Sequence, residues 1–575
     1  MQTRAMKDAP ALLVPLAALW VASARGVALA PLAAAATATV ALGLAALAVR
    51  GGVRREPALA WLAGLVAWCG VAAAFRPVAT APAAWVVAAG VVALSLALAA
   101  ASPRGAAWAG LAVVAAGTLT AACLVVEAVA VQGRPAGPFG NPNLAATVAL
   151  LGLLTIPRAP AGPVVRGVLA VVLLGGVVAS GSRGALLALV TAFATWALLT
   201  ASRQQRRWAL GGGAVVAIVL GLVVARERDP LRWERARLWA VATRTALAEL
   251  PIGCGPGGYG DAALPHNFAR DGEFARHHRL PGVAESDVLQ LAATLGLPGL
   301  ILAGGLAWWV ARGAGCSGAP LVVAVAVGSL VNTQLAAPVV AWTAVLALAA
   351  ARPRRAPPTV RFGIRPAAAA VLVAVVAVPT GQALTWPSPG LAPDPGAVLA
   401  RAEVQARGAG GDGGELADAA AEAWQAARLR PRWGRAWRLV GAISLERADR
   451  HREAALAEEA VAAFRRARED NRNDVWAALG EGQAHRLLGD GASARAAFQA
   501  AVGVEPNCVP CWLELATLAV ETGDVDQARA ALERAEAARQ LGRRTTFVSA
   551  YERRLATADP ELVGRLRASL GGGGR

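Results

Sequence analysis

The sequence has little charge and almost no lysine. Only 16% of its 575 residues are charged, whereas soluble domains carry roughly 25%. Hydrophobic residues make up 56% of the chain, and the mean hydropathy is +0.48. Lys7 is the only lysine, so the net charge of +18 comes almost entirely from arginine. This composition excludes a soluble protein for most of the chain. The placement of the arginines between apolar runs argues against nucleic acid as a partner.

Cysteine is also scarce, and its spacing does not form a disulfide framework. Of the six cysteines, only Cys508 and Cys511 are close together, in "CVPC". A redox motif of this kind needs a thioredoxin-like strand–helix–strand context, which is missing here. We interpret the pair as structural or incidental, and a disulfide fits an extracytoplasmic location. His266, Asp271 and Glu273 have no close metal-ligand spacing, so we predict neither a metal nor a cofactor.

Long apolar runs follow one another from Ala11 to Leu384. A bilayer needs about 20 apolar residues per helix, so these runs predict about 12 to 13 membrane spans. The first run is read as a retained signal anchor. The candidate spans are 10–24, 27–49, 58–75, 81–101, 106–131, 142–157, 164–180, 184–201, 208–225, 287–311, 318–334, 335–351 and 366–384. The fold class is therefore all-α, with a polytopic helical membrane domain over residues 1–384.

Arginines are distributed unevenly between the two sides. If the N-terminus is cytoplasmic, the clusters within 50–55, 203–207 and 352–365 are cytoplasmic, whereas the short loops on the other side carry only Arg25, Arg76, Arg134 and Arg183. The positive-inside rule supports this orientation. The outer face then carries the turn 133–143, the turn 180–184 and the long loop 226–286. An odd number of spans also places the C-terminal domain outside, although one merged pair of helices would move it into the cytosol.

The C-terminal part is a repeat array. It follows the linker "TWPSPGLAPDPG" (385–396) and is charged and rich in alanine. Gly489, Asp490, Ala494, Phe498 and Ala501 recur one period later as Gly523, Asp524, Ala528, Leu532 and Ala535. This pattern resembles tetratricopeptide repeats, and it predicts an α-solenoid over 397–545 followed by a C-terminal helix and a Gly-rich tail over 546–575. Such arrays bind many kinds of protein partner.

Two outer turns carry polar residues at helix starts. In "GPFGNPNLAA", Asn141 and Asn143 offer amides, with Arg134 nearby; capping alone would explain one of the two asparagines. In "SGSRG", Arg183 opposes the helix dipole, which suggests an anion outside the membrane. The alternative is that Arg183 extends to interfacial water. Glu127, late in the fifth span, either lines the same pocket or reaches the headgroups.

The long loop begins with an amphipathic stretch. Arg228, Arg232, Arg235, Leu238 and Trp239 share one face, which predicts a helix along the membrane surface. The glycine-rich "PIGCGPGGYG" that follows lacks the strand-before, helix-after context of nucleotide-binding loops. It is a weak signal by itself.

Four stretches together resemble the O-antigen ligase and polymerase superfamily of bacterial membrane proteins. They are "GPFGNPN", "SGSRG", "RARLWAVATRTALAELPIGCGPGGY" and "SDVLQLAATLGLPGL", in the family's order and spacing over roughly residues 110–350. The resemblance implies a glycosyltransferase C-like helical fold in the inner membrane. It also implies transfer of a glycan from an undecaprenyl-pyrophosphate carrier to a lipid, glycan or protein acceptor hydroxyl at the periplasmic face, without metal or nucleotide.

The resemblance also assigns roles to residues. Arg183 and Arg237 match family arginines and would hold the pyrophosphate. From position in the chain, and not from the resemblance, we predict that five further residues bind substrate: Arg134, Asn141, Asn143, Asp287 and His266. The family usually has His-Asn-Asp where this chain has Glu285-Ser286-Asp287. Glu285 can be the base, because a carboxylate partly withdrawn from water takes up a proton more readily. His277 or His278 can fill that role instead, or the site has lost transfer and keeps only binding.

A rival interpretation is a non-catalytic protein. In that case the chain binds a lipid-linked glycan, or acts as a membrane scaffold, through its repeat domain. A transporter is disfavoured because the polar residues cluster at one face instead of the bilayer midplane.

Overall fold

The computed structural model divides into two compact units, here called the membrane unit and the repeat unit. The membrane unit comprises residues 1–76, 80–259 and 283–391, and the repeat unit comprises residues 77–79, 260–282 and 392–575. The structure describes residues 53–54, 57–75, 103–130, 134–159, 161–200, 234–277, 281–351, 359–360, 395–409, 413–547 and 549–571, with a few single positions within 89–97 and 202–204.

The membrane unit is built from helices. They are α1 (Pro57–Phe75), α2 (Pro103–Ala130), α3 (Pro142–Thr155), α4 (Pro163–Ala179), α5 (Arg183–Thr200), α6 (Glu234–Ala248), α7 (Tyr259–Ala262, which runs into the repeat unit), α8 (Asp287–Val331) and α9 (Pro338–Ala350). Short 3-10 turns cover Ile156–Arg158 and, in the repeat unit, Leu264–His266. Strand β1 (Val53–Arg54) pairs antiparallel with β2 (Thr359–Val360). The all-α prediction is confirmed.

Among the described residues, three helices are long and apolar enough to cross a membrane: Trp108–Ala130, Arg183–Thr200 and Asp287–Val331. Shorter apolar helices cover Pro57–Ala73, Pro163–Ala179 and Pro338–Ala350. These helices overlap the predicted spans 58–75, 106–131, 164–180, 184–201, 287–311, 318–334 and 335–351. The predicted span 142–157 corresponds to the shorter helix α3. The predicted spans 10–24, 27–49, 208–225 and 366–384 lie outside the described residues, and 81–101 is described only at single positions.

Sequence explains where these helices begin and how closely they pack. Five of them start at a proline, whose fixed φ suits the first helical position and whose missing N–H is not needed there. Small residues then allow close crossings. A Cβ placed on Gly117 in α2 would lie 2.9 Å from the Gly152 Cα in α3, and one on Gly176 in α4 would lie 2.5 Å from Ala121 in α2.

Helix α8 is a hairpin although its assignment is continuous over 45 residues. A straight helix of that length would extend about 67 Å, yet the Asp287 N–H donates to the Asn332 carbonyl at 3.1 Å. The backbone leaves helical angles at Gly296 and Gly315. Gly315 lies between the predicted spans 287–311 and 318–334, so those two spans are the arms of the hairpin.

The repeat unit consists of paired helices. They are α10 (Pro395–Gly408), α11 (Gly413–Leu429), α12 (Gly434–His451), α13 (Ala454–Asp470), α14 (Val475–Leu487), α15 (Gly491–Val504), α16 (Val509–Glu521), α17 (Val525–Arg544), α18 (Ala550–Ala556) and α19 (Pro560–Gly571). The predicted C-terminal helix is thus two helices. The predicted linker 385–396 lies outside the described residues except for its last two positions.

The predicted period has a structural basis. Gly489 and Gly523 both have positive φ, 76° and 75°. Asp490 and Asp524, which follow them, cap the next helices by accepting from the N–H groups of Ser493 and Gln527. Left-handed glycine followed by an N-cap aspartate turns the chain sharply between the helices of each pair. Cys508 and Cys511 form a disulfide at the start of α16.

One segment joins the repeat unit from elsewhere in the chain. The sequence places residues 260–282 in the long loop of the membrane domain, but they pack as part of the repeat unit. Phe274 and Ala275 are buried in a core with Val475, Phe498 and Leu555 of the repeat helices. Burial of these apolar side chains gives the physical reason for the difference.

The Phe464 ring of α13 is the basis of a stability prediction. It is 2% exposed and lies against Gly441 of α12 and Gly480 of α14. We expect Phe464→Ala to destabilise the repeat unit by about 3–5 kcal/mol through the cavity it leaves. Leu541→Ala, at an exposed position of α17, is the control, with an effect of about 0.5 kcal/mol or less. Thermal unfolding of the full-length protein measures both, and equal effects would contradict this packing.

Candidate functional site

The turn 134–141 between α2 and α3 is fixed by local hydrogen bonds. The Gly137 N–H donates to Glu127 Oε2 at 2.6 Å. Glu127, an acidic residue late in the apolar helix α2, therefore anchors the turn. Gly137 has φ 69°, and a Cβ there would lie 2.7 Å from that of Ala145. Asn141 then caps α3 by accepting from the N–H of Asn143 at 2.9 Å. The capping interpretation of Asn141 therefore holds.

Arg134 joins this turn to the turn before α5. Its Nε donates to the Ser180 carbonyl at 2.8 Å, and its Nη2 donates to Asn143 Oδ1 at 3.0 Å. The Ser182 hydroxyl donates to the same Asn143 oxygen at 2.9 Å. Two turns that are distant in sequence are thereby held together, and the N-termini of α3 and α5 meet at Asn143.

The start of α6 and the two ends of the α8 hairpin meet at Arg235. Its Nη1 donates to the Val331 carbonyl at 3.1 Å, and its Nη2 donates to Asn332 Oδ1 at 3.0 Å. Asn332 in turn packs against α5, since a Cβ on Gly184 would lie 2.3 Å from the Asn332 Nδ2. The Arg235 guanidinium is also 3.9 Å from Glu285 Oε2.

Glu285 has a backbone conformation that is unusual for a residue with a side chain. Its φ is 53°, in the left-handed region, where a non-glycine residue is strained. The Trp239 indole holds it there by donating from Nε1 to the Glu285 carbonyl at 2.9 Å. About a third of the Glu285 side chain remains exposed, so the carboxylate is reachable from outside.

Asp287 organises the turn after the hairpin. Its carboxylate accepts from the Leu335 N–H at 2.9 and 3.1 Å, and its own N–H donates to the Asn332 carbonyl. Nearby, the Thr147 hydroxyl donates to Gln334 Oε1 at 2.9 Å, which ties α3 to the same turn. Asp287 therefore positions residues 332–335.

Tyr259 is a buried polar group beside this region. Its side chain is 1% exposed, and its hydroxyl has no hydrogen-bond partner among the described residues. Burial raises the pKa of Tyr259, and the nearby Cys254 thiol and Glu285 carboxylate raise it further. The glycine-rich turn before it packs on α8, with the Cys254 and Gly255 N–H groups donating to the carbonyls of Ala293 and Thr294.

Three guanidinium groups lie within electrostatic range of one another. The pKa of Arg134 is lowered by partial burial and then by the positive charges of Arg183 and Arg235. Like charges brought together in this way are typical of a site that receives an anion. The N-termini of α3, α5 and α8 add their positive dipole ends. The arrangement suits a phosphate or pyrophosphate group.

The structure brings together most of the predicted site residues. Arg134, Asn141, Asn143, Arg183, Glu285 and Asp287 lie in the network just described. Arg237 is on an exposed face of α6, and His266 belongs to the repeat unit. His278 lies outside the described residues. No group of three His, Cys, Asp or Glu side chains in the described part is placed to hold a metal.

Sequence reasoning assigned no site role to Arg235, Trp239, Asn332 or Tyr259. A signal for two of them was present, because Arg235 and Trp239 are four residues apart and share a helix face. Arg237 is two residues from Arg235, which turns it about 200° around a helix. Nothing in the local sequence marks Asn332.

Comparison with known proteins finds two families along the chain. Residues 168–304 match the family described as O-antigen ligase, and residues 486–543 match the tetratricopeptide repeat. The membrane part is O-antigen-ligase-like. The ligase match includes Arg183, Arg235 and Glu285, and it supports a glycan-transferring membrane enzyme in general terms. No relative among the curated proteins matches the chain.

Two solved structures are similar to part of the chain. A thermophilic tetratricopeptide repeat protein of Thermus thermophilus is 20% identical, over 36% of this chain and 90% of that chain, with a TM-score of 0.24. The MamA protein is 14% identical, over 32% of this chain and 87% of that chain, with a TM-score of 0.23.

Gly184 gives a test of the network. Gly184→Ala places a methyl group against the Asn332 amide, which displaces the partner of Arg235. A misplacement of this size is expected to lower glycan transfer by about 100-fold. Gly304→Ala, where the added Cβ meets nothing within 4 Å, is the matched control and should leave transfer unchanged. Transfer assays with both purified variants would reject the network if they behave alike.

Proposed function

We propose that this protein transfers a glycan from an undecaprenyl-pyrophosphate carrier to an acceptor hydroxyl at the periplasmic face of the bacterial inner membrane. The observation that carries the proposal is the network around Arg134, Arg183 and Arg235. Arg134 donates to Ser180 in the turn before Arg183, and Arg235 donates to Asn332, which packs against Gly184. The Arg235 guanidinium also lies 3.9 Å from Glu285 Oε2. A leaving pyrophosphate needs preorganised positive groups. An attacking hydroxyl needs a base.

The arginines have distinct roles in this proposal. Arg134 and Arg235 are already held by carbonyl and amide oxygens, so they are fixed in place before substrate arrives. Arg183, at the exposed first position of α5, contacts the pyrophosphate directly. Asn143 orients Arg134 and Ser182, and Arg237 makes an outer contact with the lipid-linked donor. Preorganised donors stabilise developing charge better than mobile ones.

Glu285 is the proposed base. Its Oε2 lies 3.9 Å from Arg235 Nη2, and a carboxylate placed beside the acceptor hydroxyl can take its proton. The strained φ of Glu285 fits a residue held for function. His277, one of the alternatives, contacts Glu505 in the repeat unit through its imidazole at 3.4 Å. That contact supports Glu285 over His277.

Two features support a periplasmic location for the site. The distribution of arginines supports a periplasmic outer face, and the Cys508–Cys511 disulfide is typical of proteins outside the cytoplasm. The acceptor is a lipid, a glycan or a protein. The same anion site also suits a binding protein without transfer activity, and the tests below separate the two functions.

Replacement of Arg183 tests the anion site. Arg183→Ala should lower glycan transfer by about 100- to 1000-fold, because one preorganised positive group is lost. The control is Arg244→Ala, at an exposed position of α6. The measurement is high-molecular-weight surface glycan in a strain lacking other ligases, followed by donor binding with purified protein. Wild-type donor binding without any transfer would favour the binding protein.

Replacement of Glu285 tests the base. Glu285→Gln keeps the shape but cannot take a proton, so transfer should fall at least about 100-fold. Glu285→His supplies another base at the same position and should retain much of the activity. His278→Ala should have no effect. If only His278→Ala loses activity, the base is that histidine. If all the single variants and the double variant Glu285→Gln/His278→Ala keep full activity, the site assignment is wrong.

A further inference from the structure

The repeat unit holds an internal ligand, the segment Gly260–Gly282. Its firmest contact is at Glu505, whose side chain is fully buried. The Glu505 carboxylate accepts from the N–H groups of Arg276 at 2.6 Å and His277 at 2.8 Å. The Tyr551 hydroxyl donates to it at 3.0 Å. A buried carboxylate is costly unless it is hydrogen-bonded, and here two of its donors are backbone groups of the segment.

An apolar anchor lies next to these hydrogen bonds. Phe274 is 5% exposed and stacks edge-on with Phe547 at 5.3 Å between ring centroids. Asn507 Nδ2 donates to the Phe274 carbonyl at 2.7 Å. A buried aromatic side chain flanked by main-chain hydrogen bonds is a common mode of peptide recognition.

Equivalent residues of successive repeats bind the segment. Asn473 and Asn507 occupy equivalent positions, each one residue before the N-cap of α14 or α16. Asn473 Nδ2 donates to the Asn267 carbonyl at 3.2 Å, as Asn507 does to Phe274. At the preceding repeat, Arg430 pairs with Asp261 at 2.9 Å. Three consecutive repeats thus bind one stretch of chain.

We propose that the repeat array is an internal receptor for residues 260–282. We also propose that binding of this segment controls the rate of glycan transfer at the candidate site in the membrane unit. Tyr259 and Glu285 flank the segment in the sequence, so the bound segment restrains the chain on both sides. The segment and the array must lie in one compartment, on the side of the membrane that carries the loop. Binding of the segment to the array does not depend on the proposed function. The effect of this binding on transfer rests on the proposed function.

The docking is tested by hydrogen–deuterium exchange in the full-length protein. In the wild type, the amides of Arg276 and His277 should be protected. Glu505→Gln weakens the charge-assisted hydrogen bonds, so these amides should exchange about 10- to 100-fold faster. Glu536→Gln, which changes a carboxylate bonded to Arg567 in α17 and α19, is the matched control. It should leave the segment protected.

A second variant covers the case in which Glu505→Gln unfolds the array. Phe274→Ala acts from the segment side and leaves the repeat helices unchanged in sequence. It should expose Arg270 and Arg276 to trypsin, while the amides of α12 and α13 stay protected. An unprotected segment in the wild type, or equal protection in wild type, Glu505→Gln and Phe274→Ala, would overturn the docking.

Glycan transfer measured on the same samples separates the two proposals. We expect transfer to fall by about 10-fold or more when the segment is released. A released segment with unchanged transfer would overturn the control of activity but keep the docking. Absence of transfer in every sample, including the wild type, would count against the proposed function, and amide exchange would still report the docking.

Discussion

The region around the turns 134–141 and 180–182 depends on the amide of Asn143 and the guanidinium of Arg134. One amide oxygen accepts from both Arg134 and Ser182, which joins the starts of two helices from separate regions of the chain. Arg134 also donates from Nε to the Ser180 carbonyl, which joins the same two turns a second time. Each donor is also committed to a fixed oxygen, so the remaining N–H groups of Arg134 keep a defined direction. The proposed pyrophosphate site depends on that rigidity.

Close approach at glycine is the second constraint, and both units use it. In the membrane unit Gly184 admits the Asn332 amide, and in the repeat unit Gly441 and Gly480 admit the Phe464 ring. Lipid is as apolar as the helix surfaces, so the hydrophobic effect does not drive helices together within a membrane. Close contacts of this kind stabilise helix packing there through dispersion energy. In the repeat unit the same device buries a large aromatic surface. The chain is glycine-rich for packing as well as for turns.

Much of the fold follows from the sequence. Apolar runs predicted most of the described helices between residues 58 and 351, and the hairpin in α8 was visible as two runs separated near Gly315. Only part of the candidate site could be predicted from the sequence. Its turns were recognisable, but the choice between Arg235 and Arg237 needed the phase of α6. Asn332 carries no local signal, because its role depends on Gly184 and Arg235, which are far away in the sequence.

The sequence alone determined the helical class, the two-part organisation and the repeat period, because hydropathy and periodicity are properties of neighbouring residues. Tertiary structure decided which arginines share a site and that residues 260–282 pack with the repeats. Those outcomes rest on contacts such as Arg276 with Glu505, more than 200 residues apart. Such contacts arise when buried polar groups across the whole chain find partners, a condition that no short stretch of sequence contains.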